Sequence, residues 1–302
     1  MYDIIIIGAG PAGLTAALYA LRANKTVLLI EKATFGGQIT FSPKIENYPG
    51  FEAVDGNALA DSFFEQVTAQ GADFELEEAT AIIDNGATKT VVTDCGEHEA
   101  KAVIIATGAK HRMLGAGNEE NFAGNGISFC AVCDGAFYEG KEVIVVGGGN
   151  SALQEAILLS DLCSKVTVVQ NLADFTGEQK LVELLKSKPN TEFIFNTVIK
   201  EFTGGDELKG AVIVNTETNE EKELFFDGAF VAIGLAPDNK AFENVAQLDK
   251  FGYVDTDESC VTKTAGVFTA GDCRKKTIRQ ITTATADGAV AALAACRYID
   301  GM

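Results

Sequence analysis

The feature that most constrains the fold is a strand, a glycine-rich turn, a helix and a second strand, which occur in this order twice. The first copy runs from YDIIIIG (2–8) through GAGPAG to TVLLIE (26–31). The second runs from KEVIVVG (141–147) through GGGNSA to KVTVVQ (165–170). Continuous β-branched runs are typical of parallel strands that are buried on both faces. Two such βαβ units predict an α/β chain with two Rossmann-like, doubly wound domains.

Further buried strands are predicted on both sides of the second βαβ unit. AVIIATGA (102–109) precedes it, and GVFTAGD (266–272) follows it and leads into a helix of small residues. No low-complexity linker separates the two units in the sequence. We therefore expect the second domain to be inserted into the first, so that residues 1–111 and 236–302 form one domain and residues 112–235 form the other.

Charge and cysteine usage exclude several classes of partner. The chain has 24 basic and 43 acidic residues, a net charge of −19, so nucleic acid and anionic membranes would repel it. No apolar run reaches the roughly 20 residues that span a bilayer, and Asp3 stands where a signal peptide would carry positive charge. Seven cysteines are an odd number in a chain of this size, which favours a reducing, cytoplasmic location.

The first glycine turn predicts a dinucleotide site. Gly8, Gly10 and Gly13 fit G-x-G-x-x-G directly after a strand and at the start of a helix, whose N-terminus faces the phosphates. The three glycines allow the tight turn, the close approach of a pyrophosphate and the packing of helix on strand, respectively. Glu31 ends the next strand, 18 residues beyond Gly13, where a carboxylate accepts hydrogen bonds from ribose hydroxyls.

FAD and NAD share this fingerprint, so later residues must decide between them. An ATG turn ends at Gly108, and Gly271 and Asp272 lie between the last predicted strand and the last helix. An aspartate in that place can bind a ribityl hydroxyl, while the helix N-terminus faces the isoalloxazine. The alternative role for Asp272 is a plain helix N-cap. Taken together, these residues favour FAD.

A second candidate site is SFCAVCDG, which contains Cys130-x-x-Cys133 followed by Asp134. A closed zinc site needs four ligands, and the chain has no second C-x-x-C and only His98 and His111, so we expect no metal. A structural pair of reduced thiols is one alternative. A redox dithiol fits better, because a lowered pKa makes one sulfur a nucleophilic thiolate. Asp134 could protonate a departing thiolate if its surroundings raise its pKa; otherwise it is a surface turn acid.

Eight motifs resemble, in this order, those of the low-molecular-weight thioredoxin reductases over essentially the whole chain: GAGPAG, GGQI, IENYPGF, ATGA, CAVCDG, GGGNSA, AGD and RQITTATADG. The resemblance implies a homodimer with an FAD domain and a smaller domain that rotates. It implies that Cys133 faces the flavin, that Cys130 attacks the thioredoxin disulfide and that Asp134 is the acid. It also carries FAD contacts onto Gly10, Gly13, Glu31, Gly37, Gln38, Asn47, Asp272, Arg279, Gln280 and Ile281.

The second glycine turn departs from the NADPH-dependent members of that family, in which an HRRxxxR pattern holds the 2′-phosphate. From Val166 to Gln179 this chain has no Lys, Arg or His, and Gln170 and Asn171 stand at the end of the strand. Charge-assisted hydrogen bonds contribute about 1.5–3 kcal/mol each, so the loss of two weakens binding by roughly 10²–10⁴-fold. We therefore interpret GGGNSA as a packing relic rather than an NADPH site.

This combination resembles the ferredoxin-linked branch of the family, which is independent of pyridine nucleotides. A flavin can accept single electrons from ferredoxin and pass a pair to a disulfide. Ferredoxins are usually acidic, so docking needs a basic patch, and Arg274, Lys275, Lys276 and Arg279 form the obvious cluster. We expect electrons to pass from ferredoxin to FAD, to the dithiol and to thioredoxin. The alternatives are an NADPH-dependent enzyme with an atypical nucleotide site, a diflavin relative and a flavin-bearing redox sensor.

Overall fold

The computed structural model describes residues 1–42 and 44–302 of the chain. It divides into two compact units. The first contains Met1–Ser42, Tyr48–Lys110 and Ala236–Met302, and the second contains residues 44–47 and His111–Leu235. Apart from the short segment 44–47, the chain thus leaves the first unit after Lys110 and returns to it at Ala236.

Strands and helices alternate in both units. Along the described residues the strands are β1 (Tyr2–Ile7), β2 (Val27–Glu31), β3 (Asp73–Leu76), β4 (Ala79–Asp84), β5 (Lys89–Thr93), β6 (Glu97–Ile105), β7 (Ala109–His111), β8 (Ile127–Ser128), β9 (Glu142–Val146), β10 (Lys165–Val169), β11 (Thr191–Ile194), β12 (Thr197–Gly204), β13 (Leu208–Asn215), β14 (Glu221–Phe225), β15 (Gly228–Val231), β16 (Leu235–Pro237) and β17 (Val267–Thr269). The helices are α1 (Pro11–Arg22), α2 (Gly56–Thr68), α3 (Glu119–Phe122), α4 (Ala131–Asp134), α5 (Asn150–Ser160), α6 (Gln179–Lys186) and α7 (Ile281–Asp300). Short 3₁₀ turns cover Gly37–Phe41, Gly135–Tyr138, Lys240–Phe242 and Gly271–Cys273.

The main sheet of the first unit has the strand order β3-β2-β1-β6-β5-β4, with β17 also paired to β6. β1, β2, β3, β6 and β17 run parallel, while β4 and β5 pair in antiparallel fashion. Ile4, Ile5 and Ile6 of β1 are completely buried, as expected for a central strand that is covered on both faces. The order reverses direction between β1 and β6, and doubly wound sheets bind ligands beyond the strand ends at such a point.

α1 and α7 cover one face of this sheet and pack closely against each other. The contact depends on small residues, because a Cβ on Gly288 would lie only 2.2 Å from the carbonyl oxygen of Ala12. Ala16 and Ala291 are fully buried in the same layer. A Cβ on Gly271 would lie 2.7 Å from Ala12 Cβ. The turn that precedes α7 therefore lies directly against the start of α1.

The second unit has a parallel sheet with the strand order β11-β10-β9-β15-β8 and an antiparallel sheet β12-β13-β14. Helix α5 packs on the parallel sheet through Ala152, Leu153, Ala156 and Leu159. β9, α5 and β10 form the second predicted βαβ unit, just as β1, α1 and β2 form the first, so the predicted α/β fold is confirmed. Among the described residues, no helix combines the length and the apolar character that a membrane span requires.

Candidate functional site

The first glycine turn lies between β1 and α1. Gly8 has φ = 108°, and a Cβ there would lie 2.3 Å from Ala106 O. A Cβ on Gly13 would lie 1.9 Å from Gly8 O. Gly10 differs, because the nearest atom to a Cβ there is Gly36 O at 4.0 Å. Two glycines thus serve the internal packing of the turn, and the third leaves its backbone open to a ligand.

Glu31 ends β2 and faces the same turn. Its Oε2 accepts a hydrogen bond from the Ala9 N–H at 2.9 Å, and its Oε1 accepts one from the Ala33 N–H at 3.1 Å. Each carboxylate oxygen keeps a lone pair for a ribose hydroxyl. Glu31 shares a cleft of about 340 Å³ with Gly8 and Gly108. The cleft lies at the carboxyl ends of β1, β2 and β6, where a dinucleotide is expected.

The 3₁₀ turn Gly37–Phe41 lies beside the open glycine. A Cβ on Gly37 would lie 3.5 Å from Gly10 Cα, and Gln38, the next residue, is half-buried. The structure therefore places both predicted contacts next to the glycine turn. Asn47 is exposed and belongs to segment 44–47, which groups with the second unit. Its role as a flavin contact stays a prediction.

Asp272 lies in the 3₁₀ turn Gly271–Cys273 after β17. Its Oδ1 is buried and has no hydrogen-bond partner within residues 1–42 and 44–302. Burial raises the pKa of Asp272 to about 6, against the opposing charges of Lys276 and Arg279. A buried carboxylate oxygen without a partner requires a donor from outside the chain, and a ribityl hydroxyl of FAD fits that need. The N-cap alternative is wrong, because Gln280 caps α7.

An ion cluster holds the turn that carries Asp272. Asp287 of α7 accepts hydrogen bonds from the Gly271 N–H at 3.0 Å, from Arg274 Nε at 2.8 Å and from Lys276 Nζ at 2.8 Å. Burial alone would raise the pKa of Asp287, but its bonds to the two cations lower it. The carboxylate is therefore ionised in the interior and ties the turn to α7.

This cluster corrects the basic docking patch expected from the sequence. The side chains of Arg274 and Lys276 are only 2% and 7% exposed and both pair with Asp287. Lys275 is exposed but forms an ion pair with Asp255. The prediction of a basic surface patch is therefore wrong, because two of its four cations are buried and pair with Asp287, a residue distant in the sequence.

Arg279, Gln280 and Ile281 lead into α7. Arg279 Nε donates to the carbonyl oxygen of Asp272 at 3.5 Å, and its guanidinium lies 4.3 Å from the centre of the Tyr253 ring. Gln280 is the N-cap residue and Ile281 the first residue of α7. The structure thus brings these three predicted contacts together with Asp272 at the start of the helix.

Cys130 and Cys133 form a disulfide at the start of α4, with their Cα atoms 5.3 Å apart. The Cys133 N–H donates a hydrogen bond to Cys130 Sγ at 3.2 Å. Such a bond stabilises a thiolate on Cys130 once the disulfide is reduced. Val132, between the two cysteines, is 63% exposed, so a protein partner can approach this turn.

Asp134 is half-buried at the end of α4. Its Oδ2 accepts a hydrogen bond from Ser128 Oγ at 2.6 Å, and its Oδ1 is buried without a partner among the described residues. Burial raises the pKa of Asp134, although the Ser128 bond acts in the opposite direction. The interpretation of Asp134 as a surface turn acid is therefore wrong. Its surroundings raise its pKa, as its role as a proton donor requires.

The second glycine turn is covered by its own chain. Gln170 is 4% exposed, and a Cβ on Gly148 would lie 2.2 Å from its Nε2. Its Oε1 already accepts a hydrogen bond from the N–H of the next residue at 3.1 Å. Asn150, which begins α5, exchanges hydrogen bonds with Glu178 at 2.7 and 3.1 Å. The groups that would meet a ribose and its phosphates are thus neutral or acidic.

Glu155 is a candidate residue that the sequence pattern does not single out. It lies on α5, and burial raises its pKa to about 7; a backbone hydrogen bond from Ala131 opposes this shift and the charge of Asp134 adds to it. In the sequence it follows Gln154 and resembles any polar residue of a surface helix. Only the packing of α4 on α5 buries it.

Known proteins share the sequence and the architecture of this chain. The chain matches the pyridine nucleotide-disulphide oxidoreductase family over residues 2–288. It is 42% identical over 301 residues to the thioredoxin reductase of Listeria monocytogenes, covering 99% of this chain and 94% of that protein. It is 43% identical over 304 residues to the 34.2 kDa protein in rubredoxin operon of Clostridium pasteurianum, covering 99% and 97%. The crystal structure of thioredoxin reductase from Streptococcus pyogenes superposes with a TM-score of 0.96 at 39% identity, covering 100% of this chain and 99% of that one. The chain therefore belongs to the pyridine nucleotide-disulphide oxidoreductases and, within them, to the FAD-binding thioredoxin reductases of low molecular weight.

Proposed function

We propose that this thioredoxin reductase passes electrons from reduced ferredoxin through FAD and the Cys130–Cys133 pair to thioredoxin. The observation that carries the disulfide chemistry is the turn at the start of α4, where the Cys133 N–H donates to Cys130 Sγ and the buried Asp134 carboxyl follows in the chain. A sulfur that leaves a disulfide needs a stabilising donor or a proton. This turn offers one of each.

The FAD site is assigned to residues 1–111 and 236–302, and the dithiol to residues 112–235. FAD, when bound, supplies the disulfide with a pair of electrons. The open backbone at Gly10 would hold the pyrophosphate, Glu31 a ribose and Asp272 a ribityl hydroxyl. Supporting this assignment, a Cβ on Gly10 would meet no atom closer than 4.0 Å, and Asp272 Oδ1 lacks a partner among the described residues.

Exchange with thioredoxin would use Cys130 as nucleophile and Asp134 as acid and base. The Cys130 thiolate attacks the thioredoxin disulfide, a mixed disulfide forms, and the departing sulfur takes a proton from Asp134. The Cys133 thiol then returns a proton to Asp134 and attacks Cys130 Sγ, which releases the second thioredoxin sulfur as a thiolate. Two electrons move with the sulfurs, and Asp134 regains from Cys133 the proton that it gave to the departing sulfur.

The donor assignment depends on the second glycine turn. A 2′-phosphate needs cations, but Gln170 is neutral and turned inward, and Glu178 is acidic. The C. pasteurianum relative is named for its place in a rubredoxin operon, and a carrier of single electrons is the class of donor proposed here. Because Arg274 and Lys276 are buried, no surface patch adds support. The alternatives are an NADPH-dependent reductase with cations from outside residues 166–179, or a diflavin enzyme.

A homodimer is proposed through the outer face of α1 and α7. Tyr19, Val290 and Leu293 are 40%, 38% and 42% exposed on these helices. A groove of about 350 Å³ opens beside them and is lined by Leu14, Leu18, Tyr48 and Phe63, among others. Contiguous exposed apolar surface of this kind is typical of a protein interface. A second copy of the chain is the occupant proposed.

We also propose a cytoplasmic location. In the described chain the five cysteines outside the pair are unpaired, and four of them are buried. Unpaired thiols of this number are typical of a reducing compartment.

The test is anaerobic mixing of the holoprotein with reduced ferredoxin, NADPH or NADH, while flavin bleaching is followed. Bleaching by ferredoxin alone supports the proposal, and rapid bleaching by NADPH contradicts the donor assignment. Cys130→Ser should keep the flavin and its bleaching but lose thioredoxin reduction. A Cys130→Ser protein that reduces thioredoxin at the wild-type rate would remove Cys130 as the nucleophile.

A further inference from the structure

Two buried carboxyl groups lie at the helix that carries the dithiol. Asp134 ends α4, and Glu155 lies on α5. Each has one oxygen, Asp134 Oδ1 and Glu155 Oε2, that is buried and has no hydrogen-bond partner within the part of the chain described. Buried carboxylate oxygens are normally hydrogen-bonded. A proton held by this pair of acids removes one of the two buried charges and so relieves the cost of their burial.

Glu155 reaches α4 because α4 packs against α5. Ala131 belongs to the same buried apolar cluster as Leu159, and a Cβ on Gly135 would lie 3.3 Å from Leu159 Cδ2. Glu155 precedes Leu159 by four residues, so both side chains lie on the same face of α5. The backbone of Ala131, the first residue of α4, lowers the pKa of Glu155 against the larger effect of burial. Glu155 thus lies beside the segment between the two cysteines.

The two acids differ in how readily they ionise. Burial raises the pKa of Glu155 to about 7, with the Asp134 charge adding to the shift. Burial also raises the pKa of Asp134, but the Ser128 hydrogen bond opposes the change. Interacting acids of this kind lose their protons in two coupled steps. Below its pKa of about 7, Glu155 is therefore protonated for most of the time.

We propose that Glu155 is a positioning residue of the dithiol site, which holds the proton that Asp134 exchanges with the reacting sulfurs. The inference rests on the disulfide exchange proposed above. A proton moves from Glu155 to Asp134 before the first thioredoxin sulfur leaves, and Asp134 passes it on. The Cys133 thiol then returns a proton to Asp134, and from there it goes back to Glu155. The pair ends with the single proton it began with, and no external acid is consumed.

Two other titratable groups near the dithiol, Tyr138 and His111, ionise outside this range. Burial raises the pKa of Tyr138 above its usual value, with Asp134 and Asp227 adding to the shift. Burial lowers the pKa of His111 to about 4, so its ring is neutral near neutral pH. A transition near neutral pH in the reactivity of the dithiol therefore belongs to the carboxyl pair or to the cysteines themselves.

The test follows the alkylation rate of Cys130 against pH, between about 5 and 9, in reduced, desalted holoprotein without thioredoxin or electron donor. A Cys95→Ser background removes the exposed unpaired thiol. We expect an inflection near the pKa of Glu155 in the parent protein and in Glu155→Asp, but not in Glu155→Gln. Glu217→Gln, which removes an exposed carboxylate elsewhere in the second unit, is the matched control.

A second readout separates proton storage from a structural role. Glu155→Gln removes the negative charge that Glu155 carries above its pKa of about 7, so alkylation above that pH should become several-fold faster, on the order of 3–10-fold. Turnover with thioredoxin should instead fall by about 10²-fold, because the stored proton is lost. Opposite changes in the two assays support the proposal, and a fall in both assays overturns it.

Asp134→Asn gives an independent check. Removing the Asp134 charge should move the Glu155 inflection to lower pH, and an inflection that stays in place contradicts the coupling. A Glu155→Gln protein whose alkylation profile keeps the inflection also overturns the role proposed for Glu155. If that protein still reduces thioredoxin through Cys130, the proposed disulfide reductase activity stands. Thioredoxin reduction that survives Cys130→Ser would instead refute the proposed function itself.

Discussion

Replacing Asp287 with Asn should loosen the turn that holds Asp272 and weaken FAD binding. The Asp287 carboxylate accepts four hydrogen bonds from three residues, and one of the donors is the Gly271 N–H of that turn. Without it, the side chains of Arg274 and Lys276, 2% and 7% exposed, lose their shared counter-charge. Removing one partner of a buried ion pair costs about 3–5 kcal/mol. Asn retains one oxygen that can accept the Gly271 N–H, so we expect a loss of unfolding free energy at the lower end of this range, about 3 kcal/mol.

The assay is urea unfolding of the holoprotein, followed by FAD fluorescence and far-ultraviolet circular dichroism. Flavin emission reports release of the cofactor, and circular dichroism reports unfolding of the chain. Asp255→Asn is the matched control, because Lys275, whose side chain is 60% exposed, is the ion-pair partner of Asp255 within residues 1–42 and 44–302. Exposed pairs contribute about 0–1 kcal/mol, so this variant should unfold close to the parent.

The dependence of unfolding free energy on pH, measured in acid, gives a further check on Asp287. The folded-state pKa of Asp287 is lowered, so its contribution is fully present above the ordinary Asp value of about 3.9 and is lost as the pH falls through the folded value. Asp287→Asn should therefore remove part of the acid dependence. A variant that unfolds and releases FAD like the parent would refute the view that this cluster holds the turn.

Further substitutions test the cofactor site and the proposed interface. Gly8→Ala should destabilise the apoprotein, because its Cβ meets Ala106 O at 2.3 Å. Gly10→Ala should leave apoprotein melting unchanged and weaken FAD binding. Equal effects of the two variants would contradict the different roles given to these glycines. Burial raises the pKa of Asp272 from 3.8 to about 6, so its charge destabilises the apoprotein as the pH rises through that value. Asp272→Asn should then stabilise the apoprotein near neutral pH by up to about 3 kcal/mol and weaken FAD binding, as measured by pH-dependent melting and by flavin titration. Leu293→Glu should yield monomers in light scattering, and an unchanged mass would exclude this face.

The parts of the fold that follow from local sequence are those with buried, uninterrupted strands. The isoleucine run of β1 has no polar position, so its burial on both faces and the glycine turn after it are predictable. β3 and β4 carry mostly exposed or half-exposed residues, so they lack that signal. They form because β2 and β5 offer free edges, which is a property of the sheet rather than of either segment.

The candidate site divides in the same way. The C-x-x-C and the first glycine turn are local patterns whose spacing fixes their chemistry. Arg274 is buried because it pairs with Asp287, which lies on another element. Cations that are adjacent in the sequence therefore predicted a basic surface patch that the fold does not form. Glu155 is likewise buried only because α4, from an earlier part of the chain, packs over it.

Oxidants should react with the Cys130–Cys133 dithiol of this protein in preference to its other cysteines. The thiolate, not the thiol, reacts with peroxide, and the pKa of each of the five unpaired cysteines is raised: Cys95, Cys163, Cys260, Cys273 and Cys296. Desolvation is the largest cause for each of them, and for the exposed Cys95 the charge of Asp94 adds to it. For Cys163 and Cys260 the pKa reaches about 11 and about 12. At Cys130 a backbone N–H is directed at the sulfur and favours the charged form, whereas at Cys273 burial outweighs the backbone hydrogen bond from Gly108. Air exposure should therefore return the enzyme to its own disulfide, a state that its reductant reverses, and spare the thiols whose oxidation would be permanent.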